Sequence, residues 1–200
     1  MKETPILFNT EMVMAILAGR KTKTRRLNGL KGINENPNDW KLAAATKDHI
    51  TFISNTWKLI SIKWKYKPGD LLWVRETWTE FVGLEETSKT FVYRADGMWE
   101  NKIHLVDEKW KPSLLMPKSA CRLWLQVKNI RVERLQDITE EDAKAEGVTL
   151  QDDIVKENNP KFTHKYRWHF CLLWNSINKK TYPWESNPWV WVIEFEQYEK

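Results

Sequence analysis

The sequence predicts an α+β fold in which a small β-barrel is flanked by helices. Four segments rich in β-branched or aromatic residues are typical of strands, at 70–78, 89–94, 121–133 and 188–196. Two segments carry helical signals, a capped acidic start at 139–147 and apolar residues near helical spacing at 162–178. With 200 residues of 42% hydrophobic content, we expect one elaborated domain over 1–200.

The N-terminal part contains a short amphipathic helix that ends at a glycine. Thr10 is placed to cap its start, and Gly19 can end it in a left-handed conformation. The apolar face between them is formed by Met12, Val13, Ala15, Ile16 and Leu17. Whatever follows Gly19 is therefore held by an anchored helix.

The segment 27–67 is rich in Asn and Lys and has weak periodicity, which indicates an insertion with a hairpin around 49–64. A Pro68-Gly69-Asp70 turn then precedes the strand at 70–78. Near the C-terminus, Trp189 and Trp191 alternate along the strand at 188–196, so one face of that strand can carry both indoles inward.

Charge and cysteine usage narrow the class of protein. The net charge of +5 arises from 32 Lys and Arg against 27 Asp and Glu, a balance that suits a polyanionic partner. Cys121, Cys171 and four scattered His residues lack metal-binding spacing, so we expect no metal, no cofactor and structural thiols in a reducing compartment. We find no signal peptide and no apolar run long enough to cross a bilayer. The expected location is the cytoplasm, without a membrane partner, and the oligomeric state stays open.

The chain contains 13 Trp residues, far above ordinary usage. An indole is both a large buried hydrophobe and a surface on which bases stack. We expect core packing for most of them.

A dense cationic run follows the first helix: Gly19-Arg20-Lys21-Thr22-Lys23-Thr24-Arg25-Arg26, with five cations and two hydroxyls in eight residues. A solvated charge run is the plain alternative to a site. A basic tail, however, normally lies in low-complexity sequence without apolar anchors. The run therefore indicates a functional segment.

Thr24 is a candidate nucleophile, and Lys21 is its nearest candidate base. A free hydroxyl needs such a base at neutral pH, and crowding by neighbouring cations favours the neutral form of Lys21. On a regular strand these two residues point to opposite faces, so they cooperate only where the chain turns or bulges between them. The alternative, an alternating and solvated strand, stays open at this stage.

Two carboxylates stand out as counter-charges for the run. Glu76 follows the strand residues Trp73, Val74 and Arg75. Glu146 stands at a predicted helix end, where the helix dipole disfavours an anion, and a function would explain that placement. The alternative for Glu146 is one more exposed acid on an acidic helix.

The chain resembles the ASCH domain family, a relative of the PUA fold. The resemblance spans most of the chain and includes Pro5-Ile6-Leu7-Phe8, the run from Gly19 to Arg26, Met116-Pro117, the segments 131–143 and 187–192, and Lys67-Pro68-Gly69-Asp70-Leu71-Leu72-Trp73-Val74-Arg75-Glu76-Thr77-Trp78. It is closest to larger members found on bacteriophage and prophage genomes. This resemblance implies a PUA-like β-barrel with helices flanking a cleft into which the run projects.

A small bacterial branch of that family removes the acetyl group from N(4)-acetylcytidine with a Lys, a Thr, a Glu and a nearby Arg. The motif match places the Lys, Thr and Arg on Lys21, Thr24 and Arg26, and alignment of the family's helix with 138–150 places the Glu on Glu146, so the resemblance implies a catalytic Lys21, Thr24 and Glu146. Arg20, Arg26 and Glu76 are expected to contact the substrate. Compared with that branch, this chain has added material at about 27–67 and 79–115.

Two classes of function therefore remain. In the first, the protein is an amidohydrolase that removes an acyl group from an N(4)-acylated cytidine. In the second, it is an RNA-binding module or a ribonuclease that uses the same basic cleft. The expected partner is a modified nucleoside or RNA in either case.

Overall fold

The computed structural model describes residues 1–82, 89–97, 109–150 and 165–200, and within these ranges it is an α+β structure, as the sequence predicts. The helices are α1 (Thr10–Leu17), α2 (Lys31–Asn34), α3 (Glu140–Ala145) and α4 (Lys165–Asn178). The strands are β1 (Glu3–Leu7), β2 (Lys23–Arg26), β3 (Trp40–Ala45), β4 (His49–Ser54), β5 (Leu59–Lys63), β6 (Leu71–Arg75), β7 (Trp78–Val82), β8 (Lys89–Tyr93), β9 (Trp124–Arg134) and β10 (Trp189–Tyr198).

The main sheet has the strand order β1-β6-β9-β10-β2, with β1 parallel to β6 and the other neighbours antiparallel. Its centre is the long β9–β10 pair, which runs from Trp189 opposite Arg134 to Tyr198 opposite Trp124, with a bulge beside Glu194. The edge strands β1 and β2 are linked by a side chain, because Arg26 donates from Nη2 to the Leu7 carbonyl oxygen at 2.9 Å.

Alternation along β10 sends side chains into two separate cores. Trp189, Trp191, Ile193 and Phe195 face the larger core, whereas Val190 and Val192 face α3 and α4. The second core is completed by Leu135, Ile138, Ala143, Phe170 and Trp174. The alternating indoles expected at 188–196 are thus confirmed as core residues.

The predicted hairpin around 49–64 is confirmed as β4 and β5, and β3 extends it to a three-stranded sheet. This sheet and Trp64, which directly follows β5, close the larger core through aromatic contacts: the ring centroids of Phe52 and Trp189 lie 5.0 Å apart, and those of Trp64 and Trp191 lie 5.1 Å apart. The segment 27–67 therefore contributes to the core.

Other local predictions need adjustment. The cap of α1 is Asn9, whose side chain accepts from the Met12 N–H at 2.9 Å, and Thr10 is the first helical residue. Gly19 is left-handed as expected, with φ +70°. The predicted strand at 70–78 ends at Arg75, and Trp78 starts the next strand.

The predicted helix at 162–178 is observed as α4, and residues 162–164 lie outside the described residues. Parts of the expected insertion at 79–115, namely 83–88 and 98–108, lie outside them too. Among the helices described, none combines the length and apolar character needed to cross a membrane.

Asn34 extends the main sheet with its side-chain amide. Its Nδ2 donates to the Trp189 carbonyl oxygen at 2.9 Å, and its Oδ1 accepts from the Trp189 N–H at 2.7 Å.

We expect Asn34→Ala to lower the free energy of unfolding by about 2 to 4 kcal/mol, because two buried backbone groups lose their partners. Urea denaturation measures this loss. The matched control, Asn36→Ala, changes an exposed residue and should leave stability nearly unchanged; equal stability of the two variants would contradict the assignment.

Candidate functional site

The chain between α1 and β2 is held against the end of α3. After the left-handed Gly19, the N–H groups of Arg20 and Lys21 both donate to the Ala15 carbonyl oxygen, at 2.9 and 3.0 Å. Lys21 then forms an isolated antiparallel bridge with Glu146, and the Thr22 N–H donates to Ala145. Because β2 begins only at Lys23, strand alternation does not separate Lys21 from Thr24.

Lys21 is a fully enclosed cation with three acceptors. Its Nζ donates to Glu146 Oε2 at 2.7 Å, to the Glu146 carbonyl oxygen at 2.9 Å and to the Lys23 carbonyl oxygen at 2.8 Å. The side chain has 0% exposure. Burial lowers the pKa of Lys21 from its ordinary value, Glu146 opposes this, and the like charges of Arg26 and Arg25 contribute less. The sequence analysis attributes the weakened basicity of Lys21 to neighbouring like charges, but desolvation is the larger cause of its lowered pKa.

Glu146 joins two cations of the run at the end of α3. Its Oε2 accepts from Lys21, and its Oε1 accepts from Arg25 Nη1 at 3.0 Å. The carboxylate is buried, so these two partners replace its hydration and offset the unfavourable helix end. Glu146 is thus the counter-charge that the sequence predicts.

Further carboxylates, which sequence reasoning missed, surround Arg25. Its Nη2 donates to Glu133 Oε1 at 2.6 Å and to Asp142 Oδ2 at 3.1 Å, and Asp142 also accepts from Lys23 at 2.6 Å. Residue spacing in the sequence could have predicted these contacts. Lys23 and Arg25 share one face of β2, and Asp142 lies one helical turn before Glu146.

Thr24 and Arg26 form a second pair. The Thr24 hydroxyl oxygen accepts from Arg26 Nη1 at 2.6 Å, and Thr24 is fully buried. The Phe8 ring contacts one cation of each pair, with its centroid 5.0 Å from the Arg26 guanidinium carbon and 5.7 Å from Lys21 Nζ. The alternative of an alternating, solvated strand, in which Lys21 and Thr24 would face solvent, is therefore wrong: both side chains are enclosed.

A cavity of about 490 Å³ adjoins these pairs. Arg26 and Glu146 line it, while Lys21 and Thr24 lie behind its wall. Most of the remaining wall is apolar and comes from α1, the turn after β1 and α4, notably Phe170, Leu173, Trp174 and Ile177. The sequence did not predict that α4 lines the cavity, because its residue spacing indicates only an amphipathic helix.

Arg20 and Glu76 lie apart from the cavity lining. Arg20 is exposed and donates from Nη1 to the Gly147 carbonyl oxygen at 3.2 Å. Glu76 accepts two hydrogen bonds from Arg122, both at 3.0 Å. Burial raises the pKa of Glu76, and Arg122 opposes that shift. Glu76 is the counter-charge of Arg122, not of the cationic run.

In the described ranges, no group of His, Cys, Asp and Glu side chains is arranged to hold a metal ion. Cys121 and Cys171 are free thiols, and burial raises the pKa of each. Neither thiol lines the cavity.

Gly147 sets how closely α3 approaches the site. It is left-handed, with φ +84°, and a Cβ there would lie 2.8 Å from Ala15 Cβ and 2.9 Å from Lys21 Cβ. We expect Gly147→Ala to lower the free energy of unfolding by about 2 to 4 kcal/mol, since strain and overpacking add. The control is Gly19→Ala, which has φ +70° and open space and should cost only about 1 kcal/mol. Thermal unfolding of both variants checks this, and a Gly147 cost no larger than the Gly19 cost would refute the close approach.

The Asp142 cluster predicts acid sensitivity. Burial raises the pKa of Asp142, but the hydrogen bond from Lys23 and the charges of Arg25, Lys23 and Arg131 outweigh it, so the net shift is downward. A carboxyl with a lowered folded-state pKa contributes stability that is present above its ordinary pKa of about 4 and is lost as pH falls through the folded value. Chemical denaturation from pH 6 to 2 should therefore show a shallower stability loss for Asp142→Asn than for the unchanged protein. An identical slope would rule this contribution out.

The comparisons with known proteins bring no match: no family model, no curated protein and no solved structure is similar to this chain.

Proposed function

We propose that this protein is an amidohydrolase that removes the acyl group from an N(4)-acylated cytidine. The observation that carries the proposal is the meeting of two pairs, Lys21–Glu146 and Thr24–Arg26, around Phe8 at the wall of one cavity. The motif resemblance assigns the same four residues to such a reaction. Their contacts support this assignment because each pair combines a reacting group with the group that would orient it.

Lys21 serves as the proton carrier and Glu146 as its partner. Three acceptors around Nζ correspond to an ammonium group, which has no lone pair to accept a proton. Transfer of one proton to the Glu146 carboxylate, 2.7 Å away, frees that lone pair. The pKa of Lys21, which burial lowers, makes this transfer less costly than it would be in water.

Thr24 serves as the nucleophile and Arg26 as the electrostatic stabiliser. The Thr24 oxygen attacks the acyl carbon, its proton passes to Lys21, and the cytidine amine leaves with that proton. Water then hydrolyses the acyl-threonine ester and releases the carboxylic acid. Arg26 donates to the Thr24 oxygen at 2.6 Å in this arrangement, and after it shifts to admit the substrate the same guanidinium donates to the oxyanion that forms at the attacked carbonyl.

The cavity suits a nucleoside better than a polyanion. Its apolar wall can pack against a flat base and an acyl group, and Asn9, Asn28 and Asn178 supply amides for polar edges. Arg26 must move aside to open a path to Thr24, since it covers the hydroxyl in this arrangement. Its other partners are the backbone carbonyls of Arg25 and Leu7.

The fold proposed for this activity is the PUA-like barrel of the ASCH family. Support comes from the curled main sheet, whose two edge strands are brought together by the Arg26 contact with Leu7. The cavity lies at this junction, which is where the resemblance implies the cleft.

The second candidate is an RNA-binding module or ribonuclease. The observation that favours it is the enclosure of Lys21 and Thr24, since a buried and fully hydrogen-bonded lysine can act simply as an ion-pair anchor for the run. In that case Arg26 and Arg20 would contact phosphates.

Activity assays on N(4)-acetylcytidine distinguish the two candidates. We expect Thr24→Val to lower kcat/KM by about 1,000-fold or more, because it keeps the shape but removes the nucleophile, while Thr24→Ser retains measurable activity. Lys21→Met should lose a similar amount, and the double variant should lose little more, as expected for groups acting as a unit. Mass spectrometry of the released cytidine measures these rates.

Folding of each variant is checked by circular dichroism, because removing one partner of the buried ion pair is destabilising. If Lys21→Met is unfolded, Lys21→Met combined with Glu146→Gln removes both charges together. Unchanged protein that is inactive on N(4)-acylcytidines but cleaves RNA in a Lys21-dependent way would establish the second candidate instead.

A further inference from the structure

The outward face of the main sheet carries a row of flat side chains beyond the part that α3 and α4 cover. Pro5, Trp73, Trp124 and Tyr198 lie in register on four neighbouring strands, β1, β6, β9 and β10. We call these four residues the outward row. Neighbouring strands are about 4.8 Å apart, so the outward row spans roughly 15 Å.

The orientation of the outward row follows from alternation. Leu72 and Leu125, which adjoin Trp73 and Trp124 in sequence, have 0% exposure and lie in the larger core. Trp73 and Trp124 therefore point to the opposite face, where both are half-buried. These two indoles belong to the minority of tryptophans for which core packing was not expected.

Cations are interleaved with these rings. The Arg75 guanidinium carbon lies 5.5 Å from the Trp73 ring centroid, and the Nζ atoms of Lys118 and Lys200 lie 5.5 and 3.9 Å from the Trp124 ring. Both lysines also contact Glu3, an exposed arrangement that contributes little to stability and that a stronger anion can displace.

Arg75 is the cation of this face that the fold leaves least satisfied. Its Nε is buried and has no hydrogen-bond partner in the described residues. No described carboxylate forms a salt bridge with it either. A buried guanidinium N–H without an acceptor is costly, so the fold opposes little a shift of the Arg75 side chain that brings its guanidinium to a bound anion such as a phosphate.

We propose that the outward row is a binding platform for single-stranded RNA that leads toward the cavity. Stacked indoles interleaved with cations match the alternation of bases and phosphates along a single strand, and every base offers a face for stacking. Bases stack on Trp73, Trp124 and Tyr198, while phosphates pair with Arg75, Lys118 and Lys200.

The platform is continuous with the cavity. Arg75 pairs in register with Leu7, and Leu7 lines the cavity. Trp73 is two residues further along β6, about 7 Å away. A strand stacked on the outward row can therefore place its next nucleotide at the cavity mouth. The choice of RNA over DNA rests on the proposed function, in which the substrate is a ribonucleoside; the binding itself does not.

The test measures binding of an unmodified, fluorescently labelled 12-nucleotide RNA by anisotropy. We expect Trp124→Leu to weaken binding by about tenfold, because one stacking surface is lost. Arg75→Gln should weaken binding and reduce the slope of log K against log salt by about 0.7, the contribution of one single-strand phosphate contact. Trp57→Ala is the matched control, since Trp57 is 83% exposed on the β4–β5 turn of the three-stranded sheet. It should bind like the unchanged protein.

No binding of the RNA at low salt would overturn the proposal, as would equal affinity of Trp124→Leu, Arg75→Gln and the unchanged protein. Tighter binding of single-stranded DNA of the same sequence would overturn the choice of RNA. Since neither Trp124 nor Arg75 belongs to the proposed catalytic groups, both variants should deacylate free N(4)-acetylcytidine at the normal rate. The anisotropy result and the deacylation result are therefore judged independently.

Discussion

The buried ion pair between Lys21 and Glu146 is the constraint on which the site depends. Two charges leave water only if each finds replacement partners, and here Nζ of Lys21 has three acceptors while Glu146 has Lys21 and Arg25. This requirement fixes the end of α3 beside the segment that follows α1. It also explains why Gly147 must be glycine, since a side chain there would strike Lys21 and Ala15.

The cationic run is divided by the strand that it forms. On β2, Lys23 and Arg25 face α3, where Asp142, Glu133 and Glu146 neutralise them. Thr24 faces the other way and meets Arg26, which reaches back over Phe8 to the end of β1. Most of the positive charges of the run therefore form contacts within the protein. Arg26 is left at the boundary between the enclosed pairs and the cavity.

The outward row and the enclosed site show two uses of the same residue types. Inside, carboxylates neutralise Lys21, Lys23 and Arg25, and Arg26 is held by the Thr24 hydroxyl and backbone carbonyls. Outside, Arg75, Lys118 and Lys200 lie over the rings of half-buried indoles, and among the described residues the two lysines share the carboxylate of Glu3. Enclosed charges with carboxylate and hydroxyl partners suit chemistry at one position, whereas exposed charges beside aromatic rings suit a ligand that repeats along a strand.

The amino-acid sequence by itself determined the α+β class, the helix that ends at Gly19, the hairpin of β4 and β5 and the inward indoles of β10. These follow from local rules of period, turn chemistry and left-handed glycine, which act over a few residues. Sequence reasoning also singled out Glu146 beside the run, because an anion at a helix end is locally unfavourable.

Only the tertiary structure decided which groups meet. Asp142 and Glu133 reach Arg25 across more than 100 positions, and α4 supplies a wall of the cavity, neither of which a local pattern encodes. The sequence did not reveal burial either: Lys21 is enclosed where it pairs with Glu146 at the end of α3, and Thr24 is buried on the other face of β2, where it meets Arg26. Desolvation depends on every element around a group, so its dominance over like charge in lowering the pKa of Lys21 emerges only once the chain is folded.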